Sequence, residues 1–579
     1  MESIIRKKKP RQEVLSLMIL VKTLTFIVVA GLMAGGCATE PPGEKSERNV
    51  NNSTVKNVIM LVYDGQGTGA ITCTRWYKGQ ALAMDEMAAG LCSTYMGDSI
   101  ITDSAPAATA FATGHKSNLD HISVLPTTAV IVPGVRVPPE EKKGMPVASL
   151  LEGAKQMGKS TGIIATSFIQ HSTPACFSAH ISNSSNFEVI AEQQVYMGID
   201  VVLSGGSKFL QPTAHGGFRE DGEDLIKVLK ENHYEYITTR DQLLNANAEK
   251  IWGMFAPVDM AFDLDRQQLH PEQPSLAEMT QKAIEVLSRN PNGFFLFVES
   301  SKTDWAAHAN DPIGVISDML ALDDAVAVAL NFARRNRDTL ILLFPDHDTG
   351  GMTIGSKESD KNHDAISKEM VIAPLKRVKL TSMAVQKILA TDTDPSPERI
   401  REVLLNYYGI DDLSDEEVRD IANCTGKCLL IEILGPIISK RAYIGWTSTG
   451  HTGNDVPFHS YGPNRPTGHF DNTDIAKICA QRLGFNLEDV SAKLFIDSQK
   501  AFTSLGAHVH IDETDVKNPV LVAKKGSVTV HIPFHKNKLK INTTEYRMPG
   551  IAVFVPKTGQ IFIPKSSIEL VKKEFKQVR

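Results

Sequence analysis

Three short apolar segments constrain the fold of this chain more than any other feature of its sequence. They read NVIMLVYDG (57–65), GFFLFVES (293–300) and DTLILLFPDHD (338–348). Each is about as long as a strand and apolar on both faces, which is typical of central strands in a parallel sheet. Helical patterns such as PSLAEMTQKAIEVLSRN and DMLALDDAVAVALNFARRN lie between them. Strands that alternate with helices predict an α/β fold with a doubly wound central sheet flanked by helices.

Each apolar segment ends in an acidic residue: Asp64, Glu299 and Asp346. In an open α/β sheet, the carboxyl ends of the strands form the ligand-binding edge. Carboxylates that meet at this edge repel one another unless a positive charge lies between them. One such residue could be there by chance, but three together predict a metal site.

Two segments interrupt this pattern, and the C-terminal region differs from it. The proline-rich segment 119–144 predicts a loop or short strands, the segment 353–443 has helical patterns such as SPERIREVLLNYYG, and short strand-like runs such as SVTVHI follow residue 505. We therefore predict six parts: a lipoprotein signal peptide (1–37), a polar tether (38–56), the first part of the core with the insertion 119–144 (57–352), an inserted, crown-like helical segment (353–443), the last part of the core (444–504) and a C-terminal β-rich domain (505–579).

The N-terminus has the organisation of a bacterial lipoprotein signal. A basic stretch (6–11) precedes an apolar run (23–33), and the small residues AGG lead to Cys37. This pattern predicts that Cys37 is lipidated and becomes the N-terminus of the mature protein; an ordinary signal peptide with a chance cysteine is the alternative. We expect an exported protein, in the periplasm or attached to the outer membrane, whose membrane partner is reached through the lipid anchor on Cys37 and the tether.

Composition argues against one class of partner. The net charge of −6 is small for 579 residues and gives no reason to expect nucleic-acid binding. Among the seven cysteines, only Cys424 and Cys428 are close in sequence, in NCTGKC. In an oxidising compartment this spacing could form a small disulfide loop.

Two motifs near the second and third apolar segments offer ligands for a transition metal. In ESSKTDWAAHAND, Asp304 and His308 are four residues apart, which places them on one face of a helix. Such a pair can bind a metal ion, although by itself it could equally form a hydrogen bond on a helix surface. In PDHDTGG, Asp346 and His347 follow a buried strand, where burying both side chains without a partner would be costly.

Three further motifs carry weaker signals. GHTGND presents His451 in a loop rich in Gly and Thr, where a lone histidine is usually solvated. QHSTPA contains His171 and Thr173, and the threonine could bind magnesium or cap a helix before Pro174. TDSAPAATAFATG places Ser104 before a run of small residues, so this serine is either part of a helix cap or a nucleophile.

Taken in order, these motifs resemble those of the alkaline phosphatase family. Asp64, TDSAPAATAFATG, QHSTPA, VESSKTDWAAHAND, PDHDTGG and WTSTGHTGNDVP follow one another as in that family, over about 57–484. The run GIAVFVPKTGQIFIPKSSIELV is also similar to β-rich extensions of some bacterial members. The resemblance implies metal-dependent hydrolysis of phosphate monoesters at alkaline pH through a phosphoserine intermediate, with two Zn²⁺ and one Mg²⁺ per subunit. Members of the family are often homodimers.

The resemblance also implies a role for each candidate residue. One zinc ion would be bound by Asp304, His308 and His451. The second would be bound by Asp346, His347 and the nucleophile Ser104. The magnesium ion would be bound by Asp64, Thr173 and Glu299, with Asp64 bridging toward the second zinc and His171 beside the third metal. Trp305 would lie near the substrate, as would Asp103, which in the family commonly steadies a phosphate-binding arginine.

One position departs from the family pattern. Many members carry that arginine eleven residues after the magnesium threonine, where it clamps the phosphate; here Ser184 occupies the position, and no Lys or Arg occurs over 171–194. A basic residue of the 119–144 insertion, such as Arg136 or Lys142, could replace it. Phosphodiesters carry one charge less and need the clamp less, so a phosphodiesterase is the alternative function. A non-catalytic metal- or phosphate-binding lipoprotein is a third hypothesis, against which the presence of Ser104 argues.

Overall fold

The computed structural model describes residues 54–128, 137–391, 395–424 and 429–577. The predicted signal peptide with Cys37, most of the tether, part of the 119–144 insertion and Cys428 lie outside these ranges. Cys424 is disulfide-bonded, as the predicted loop requires. Within the described ranges, no helix combines the length and the apolar character needed to cross a membrane.

Strands and helices alternate through most of the chain. The strands are β1 (Asn57–Tyr63), β2 (Ala88–Ser93), β3 (Ser160–Phe168), β4 (Val201–Gly205), β5 (Glu235–Ile237), β6 (Ile251–Met254), β7 (Phe294–Ser300), β8 (Thr339–Phe344), β9 (Asp348–Thr349), β10 (Thr353–Ile354), β11 (Ile444–Gly445), β12 (His451–Thr452), β13 (Val456–Tyr461), β14 (Gly468–Asp471), β15 (Ile496–Asp497), β16 (His508–Asp512), β17 (Val520–Lys525), β18 (Val528–Pro533), β19 (Lys538–Ile541), β20 (Thr544–Arg547), β21 (Val553–Val555) and β22 (Gln560–Ile563).

The α-helices are α1 (Thr68–Lys78), α2 (Ser104–Thr113), α3 (Leu150–Gln156), α4 (Ser172–Ala175), α5 (Phe187–Met197), α6 (Leu225–Glu231), α7 (Arg240–Asn245), α8 (Asp263–Leu269), α9 (Leu276–Leu287), α10 (Lys302–His308), α11 (Pro312–Arg335), α12 (Lys368–Arg377), α13 (Ser382–Leu389), α14 (Pro397–Tyr408), α15 (Asp415–Ala422), α16 (Ile431–Arg441), α17 (Asn472–Leu483), α18 (Leu487–Leu494), α19 (Ser498–Ser504) and α20 (Lys565–Gln577).

A mixed sheet of ten strands forms the centre of the fold, in the order β14-β2-β13-β8-β1-β7-β3-β4-β6-β5. The strands from β8 to β5 run parallel to one another. Strand β13 is antiparallel to both of its neighbours, β8 and β2. The three apolar segments of the sequence are β1, β7 and β8, which are adjacent strands of the parallel region.

Helices cover both faces of this sheet. Successive side chains of a strand point to opposite faces, and β1 shows the consequence. Ile59 and Leu61 pack in a cluster with apolar residues of α9 and α11, whereas Val58 and Met60 pack in a second cluster with residues of α2, α3 and α17. A strand buried on both faces has no polar side, which explains its continuous apolar sequence. The predicted doubly wound α/β fold is confirmed.

The helical segment after β10 adds to one of these two clusters and does not form its own. Strand β10 pairs with β11, so the chain leaves the core and returns to it at the same place. Between them, Val371, Leu404 and Leu434 belong to the same cluster as Ile59. The boundaries 353 and 443 remain predictions, but the apolar packing is continuous across them.

The C-terminal region has a cluster of its own. Strands β16 to β20 form an antiparallel sheet in sequence order. Leu521 and Val530 of this sheet pack with Phe502 of α19 and Phe575 of α20. Strands β15, β22 and β21 form a second, three-stranded sheet beside it.

Lys536 links the C-terminal sheet to the core through buried charges. Its Nζ lies 3.0 Å from both Glu192 Oε1 and Glu223 Oε2. Burial raises the pKa of Glu192 to about 7, although the charge of Lys536 opposes this rise. The nearby Lys538 is exposed, and its Nζ lies 5.3 Å from the centroid of the Tyr196 ring.

Candidate active site

Three buried carboxylates meet at the carboxyl edge of the parallel strands. Asp64 follows β1 directly, Glu299 is the second-to-last residue of β7, and Asp346 follows β8 by two residues. Strand β1 lies between β7 and β8, and Val62 is in register with both Glu299 and Phe344. The three acidic side chains are at most 1% exposed. The order of the strands therefore brings together residues that are far apart in sequence.

The first group of candidate metal ligands is Asp304, His308 and His451. Helix α10 begins just after β7, and Asp304 Oδ2 lies 3.3 Å from His308 Nε2. His451 arrives on β12, which pairs with β9 just beyond β8. Its Nε2 lies 3.1 Å from His308 Nε2 and 3.7 Å from Asp304 Oδ1. Two imidazole nitrogens and a carboxylate thus converge on one point, as a transition metal requires.

Backbone carbonyls orient both imidazoles of this group. His308 Nδ1 donates to the carbonyl oxygen of Thr449 at 2.6 Å, and His451 Nδ1 donates to that of Thr102 at 2.8 Å. Because a carbonyl oxygen can only accept, each Nδ1 carries the proton and each Nε2 keeps its lone pair free for a metal ion.

Ser104 begins α2 and lies at the second group of ligands, Asp64, Asp346 and His347. Its Oγ is 3.1 Å from His347 Nε2. That nitrogen is 3.3 Å from Asp346 Oδ2 and 3.7 Å from Asp64 Oδ1. The serine is buried, and the backbone N–H groups at the start of the ten-residue helix favour an anion beside it.

Asp64, His171 and Glu299 form a third group, whose ligand atoms lie within 4.8 Å of one another. Thr173 of α4 is fully buried beside it. Among the described residues, His171 Nδ1, Thr173 Oγ1 and the carboxylate oxygens of Asp64 and Glu299 have no hydrogen-bond partner. Buried oxygens without partners are costly, so this donor set fits a divalent cation with oxygen ligands.

The pKa shifts of the ligand side chains also indicate that the three groups bind cations. Burial, and then the charge of Asp346, raises the pKa of Glu299 to about 8. Burial acts in the same direction on Asp304, but the hydrogen bond with His308 and the charges of His347, His308 and His451 together outweigh it and hold the pKa of Asp304 well below its usual range. Burial lowers the pKa of His347 well below its ordinary value, which leaves a neutral imidazole that can bind a metal.

Comparison with known proteins identifies the family. Residues 55–485 match the family model described as alkaline phosphatase. The chain belongs to the alkaline phosphatase family. Alkaline phosphatase 4 of Bacillus subtilis (strain 168) is 33% identical over 475 residues, which cover 78% of this chain and 94% of the relative. The alkaline phosphatase of Schizosaccharomyces pombe is 33% identical over 470 residues, which cover 76% of this chain and 84% of the relative.

Solved alkaline phosphatases share the fold. The alkaline phosphatase of Thermus thermophilus matches with a TM-score of 0.65 and 25% identity, covering 77% of this chain and 96% of its own. A TAB5 alkaline phosphatase mutant with Mg bound in its M3 site, in which a histidine is replaced by aspartate, matches with a TM-score of 0.53 and 25% identity, covering 75% and 99%. The present chain is thus a phosphatase enzyme with the α/β fold of this family.

Two residues of this alkaline phosphatase site were not found from the sequence. Thr349 Oγ1 donates to Asp304 Oδ1 at 2.6 Å and lies 3.2 Å from His347 Nδ1, so it joins two ligand groups. Gly65 has φ +72°, and a Cβ there would lie 2.5 Å from Asp304 Oδ1. Gly65 could have been found from the sequence, because it directly follows Asp64 at the end of an apolar segment. Nothing in the motif PDHDTGG distinguishes Thr349 as a residue of the site.

Ser184, which occupies the sequence position of the family's phosphate-binding arginine, contacts an acidic residue. Ser184 Oγ donates to Asp120 Oδ1 at 3.0 Å. Asp120 belongs to the 119–144 insertion, one of whose basic residues could have replaced the arginine. Lys142 of that insertion ends the short 3₁₀ helix Glu140–Lys142, and Arg136 lies outside the described residues.

Trp305 and Asp103 are the two residues expected near the substrate. The ring of Trp305 lies 5.7 Å from that of His171, edge to face, and the Nζ of Lys302 lies 4.7 Å from the centroid of the Trp305 ring. Asp103 is half-buried directly before Ser104. The ring of Trp305 therefore lies beside the third group, and the backbone of Asp103 adjoins Ser104 of the second group.

Proposed function

We propose that this chain hydrolyses phosphate monoesters at alkaline pH through a phosphoserine intermediate on Ser104. The observation that carries the proposal is the position of Ser104 Oγ, 3.1 Å from His347 Nε2 and within the second group of ligands. Membership of the alkaline phosphatase family supports hydrolysis of phosphate monoesters in general. A buried serine hydroxyl at a helix N-terminus, beside clustered metal ligands, supports its role as the nucleophile.

The donor atoms fit two Zn²⁺ ions and one Mg²⁺ ion. Zinc favours histidine nitrogen with carboxylate oxygen, which suits the group Asp304, His308 and His451 and the group Asp346, His347 and Ser104. Magnesium favours oxygen, which suits Asp64, Thr173 and Glu299, with His171 beside them. The TAB5 mutant with Mg in its M3 site supports a magnesium ion in the third group. When bound, such ions stabilise negative charge on the phosphoryl group and on the leaving oxygen.

The residues of the chain account for two displacement steps. Ser104 Oγ forms a bond to phosphorus while the ester P–O bond breaks, and the alcohol leaves with the proton that the serine gives up. Water then attacks the phosphoserine, which releases inorganic phosphate and restores the hydroxyl group. During both steps the first N–H groups of α2 face the phosphoryl oxygens, and the tautomers set by Thr449 and Thr102 keep His308 and His451 oriented.

A phosphodiesterase is the second candidate function. The contact between Ser184 and Asp120 is the observation that favours it, because the residue at the sequence position of the family's arginine carries no positive charge and is bonded to a carboxylate. A diester carries one charge less than a monoester and needs such a clamp less. A non-catalytic binding lipoprotein is less favoured, since it would have no chemical use for Ser104. Lipidation of Cys37, export to the periplasm or outer membrane, and a homodimeric state are also proposals.

Turnover of an aryl phosphate against a bis-aryl phosphate, at alkaline pH with Zn²⁺ and Mg²⁺, tests the function. We expect the monoester to be hydrolysed faster and Ser104→Ala to abolish that activity. Ser498→Ala is the matched control, because Ser498 also follows an aspartate and begins a helix, and its Oγ donates to the carbonyl oxygen of Ile561 in β22. A faster rate with the diester would favour the phosphodiesterase. No turnover of either ester by the metal-loaded protein would leave only the binding protein.

A further inference from the structure

A cavity of about 630 Å³ opens at the amino edge of the central sheet, opposite the candidate active site. Thr339, the first residue of β8, and Tyr461, the last residue of β13, both line it. Because β13 runs antiparallel to β8, with Tyr461 in register with Ile341, its last residue lies at the amino end of β8. A strand of this length spans about 17–20 Å, so the cavity is well separated from Ser104 and from the carboxylates at the other edge.

Positive charge dominates the lining of this cavity. Three arginines and one glutamate belong to it: Arg334, Arg337, Arg465 and Glu86. Arg334 pairs with Glu86. Arg337 and Arg465 are exposed, and Nη1 of Arg465 donates to the carbonyl oxygen of Ser460 at 3.2 Å, which neutralises no charge. The lining therefore carries more positive than negative charge.

The chain enters the core beside the cavity. Asn57, the first residue of β1, donates from Nδ2 to Thr339 Oγ1 at 3.1 Å. The backbone N–H groups of Lys56 and Asn57 both donate to the carbonyl oxygen of Asp338 at 3.0 Å, and Lys159 Nζ donates to the carbonyl oxygen of Lys56 at 3.0 Å. Two lysines thus extend the positive charge along this edge, with Asp338 and Glu86 as the acidic residues beside them. We call five residues the amino-edge basic surface: Lys56, Lys159, Arg334, Arg337 and Arg465.

The predicted lipid anchor leads to the same edge. Residues 38–53 connect Cys37 to Thr54, where the described chain begins. They include three acidic and two basic side chains, so their own charge is nearly balanced and does not neutralise the surface. A flexible chain of this length has a root-mean-square span of about 22 Å. An anchor at Cys37 would therefore keep the amino edge closer to a bilayer than the carboxyl edge.

The phosphate groups of anionic phospholipids match this surface. Arginine side chains bind phosphate through two parallel hydrogen bonds, and a basic surface is attracted by the negative potential of an anionic bilayer. An acyl anchor on a flexible tether holds a protein at the membrane but leaves its orientation free. We propose that the amino-edge basic surface binds the headgroups of anionic phospholipids and so turns Ser104 away from the bilayer. This interaction goes beyond the hydrolysis proposed above and does not depend on it.

Binding to vesicles tests the proposal. Residues 38–579 are used without an acyl chain, because the described helices and strands and the three apolar clusters all lie within 54–577. Sedimentation at low salt compares phosphatidylcholine vesicles with vesicles in which about one-third of the lipid is phosphatidylglycerol. We expect tighter binding to the anionic vesicles. The double variant Arg337→Ala/Arg465→Ala should bind them about 25-fold more weakly, because each basic side chain near an anionic surface contributes about fivefold.

Lys357→Ala/Lys361→Ala is the matched control, since both lysines are exposed and follow β10 in the inserted helical segment. We expect this variant to bind the anionic vesicles within about twofold of the wild type, because the attraction falls off within a Debye length. Equal binding of the wild type to both kinds of vesicle, or an equal loss in the two double variants, would overturn the proposal.

Hydrogen exchange of the vesicle-bound protein locates the contact. Amide groups of segments 336–338 and 462–465 should exchange more slowly on anionic vesicles, whereas those of segment 447–452, which carries His451, should exchange as in solution. Protection of 447–452 alone would place the carboxyl edge on the bilayer and refute the orientation. Inorganic phosphate should release no more protein from the vesicles than chloride at the same ionic strength. A specific release by phosphate would show that the cavity binds a free anion and not a bilayer.

Discussion

Replacing Thr349 by valine removes one hydroxyl group that serves two groups of predicted zinc ligands. The hydroxyl donates to Asp304 Oδ1 at 2.6 Å and lies 3.2 Å from His347 Nδ1. With its single proton given to the carboxylate, the hydroxyl accepts from the imidazole N–H, so His347 Nε2 keeps its lone pair. Valine has nearly the same shape, and the residue is only 1% exposed, so the substitution tests the hydrogen bonds with little change in packing.

The expected loss follows from those two contacts. Removing a hydrogen-bond partner of a metal ligand typically lowers metal affinity by about 10- to 100-fold, or about 1.4–2.7 kcal/mol. Thr349 orients one ligand of each predicted zinc ion, so we expect zinc affinity to fall toward the upper end of this range. Because the fold keeps its packing, activity should recover in large part at saturating zinc.

Zinc affinity is measured by competition with a chelator, for the wild type, Thr349→Val and Thr452→Val. Thr452 is the matched control: it lies on the same short ladder of β9 and β12, and its Oγ1 donates at 2.7 Å to Asp348, which is not a predicted ligand. We expect Thr452→Val to bind zinc within about twofold of the wild type. Unchanged affinity in Thr349→Val, or an equal loss in both variants, would refute the role assigned to Thr349.

Three further predictions concern glycine geometry, buried charge and pH. Gly65→Ala should lower kcat/KM by about 100-fold, because the new Cβ would displace Asp304, a predicted zinc ligand. Gly79→Ala is its control, since Gly79 also has a positive φ but no atom lies within 4 Å of the new Cβ. That variant should lose only about 1–2 kcal/mol of stability. Lys536→Ala should lower the free energy of unfolding by about 3 kcal/mol because two largely buried glutamates lose their partner, whereas denaturant unfolding of Lys538→Ala should match the wild type. Burial raises the pKa of Asp318 to about 8, so the folded state loses stability as pH rises from about 4 to 8 and the buried carboxyl group ionises. Asp318→Asn removes that ionisation. The variant should therefore have a higher melting temperature than the wild type at about pH 9 but not at about pH 4.

Each of these has a result that contradicts it. Equal activity of Gly65→Ala and Gly79→Ala would mean that the close approach to the ligand does not matter. An equal loss of stability in both lysine variants would mean that the ion pairs of Lys536 contribute nothing specific. A gain in melting temperature for Asp318→Asn that is the same at both pH values would exclude a titrating carboxylate as its cause.

Much of the central fold and of the candidate ligand set could be predicted from the sequence. Continuous apolar segments of strand length encode burial on both faces, and β1 indeed packs in two clusters. Asp64, Glu299 and Asp346 could be assigned to one edge because the direction of parallel strands places their carboxyl ends together. These properties are local: they depend on residue type and spacing over about ten residues, which a sequence displays directly.

The contacts between distant loops could not be predicted in this way. His451 gave a weak signal alone, and it acquires its position from the pairing of β12 with β9 and from a hydrogen bond to Thr102, 349 residues earlier in the chain. Thr349 reaches Asp304 across 45 residues. Such contacts depend on how whole elements pack, and no periodic pattern records them.

The sequence by itself determined which residue types stand at the sheet edge, and with them the chemistry that the chain can perform. Only the tertiary structure decided how that chemistry is surrounded. It placed Asp120 beside Ser184, at the sequence position where many family members carry an arginine, and it left the carboxylate of Asp103 without a capping bond to α2. The physical reason is that the energy of a charge depends on its neighbours and its burial, and the loops that supply those neighbours come together only when the chain folds.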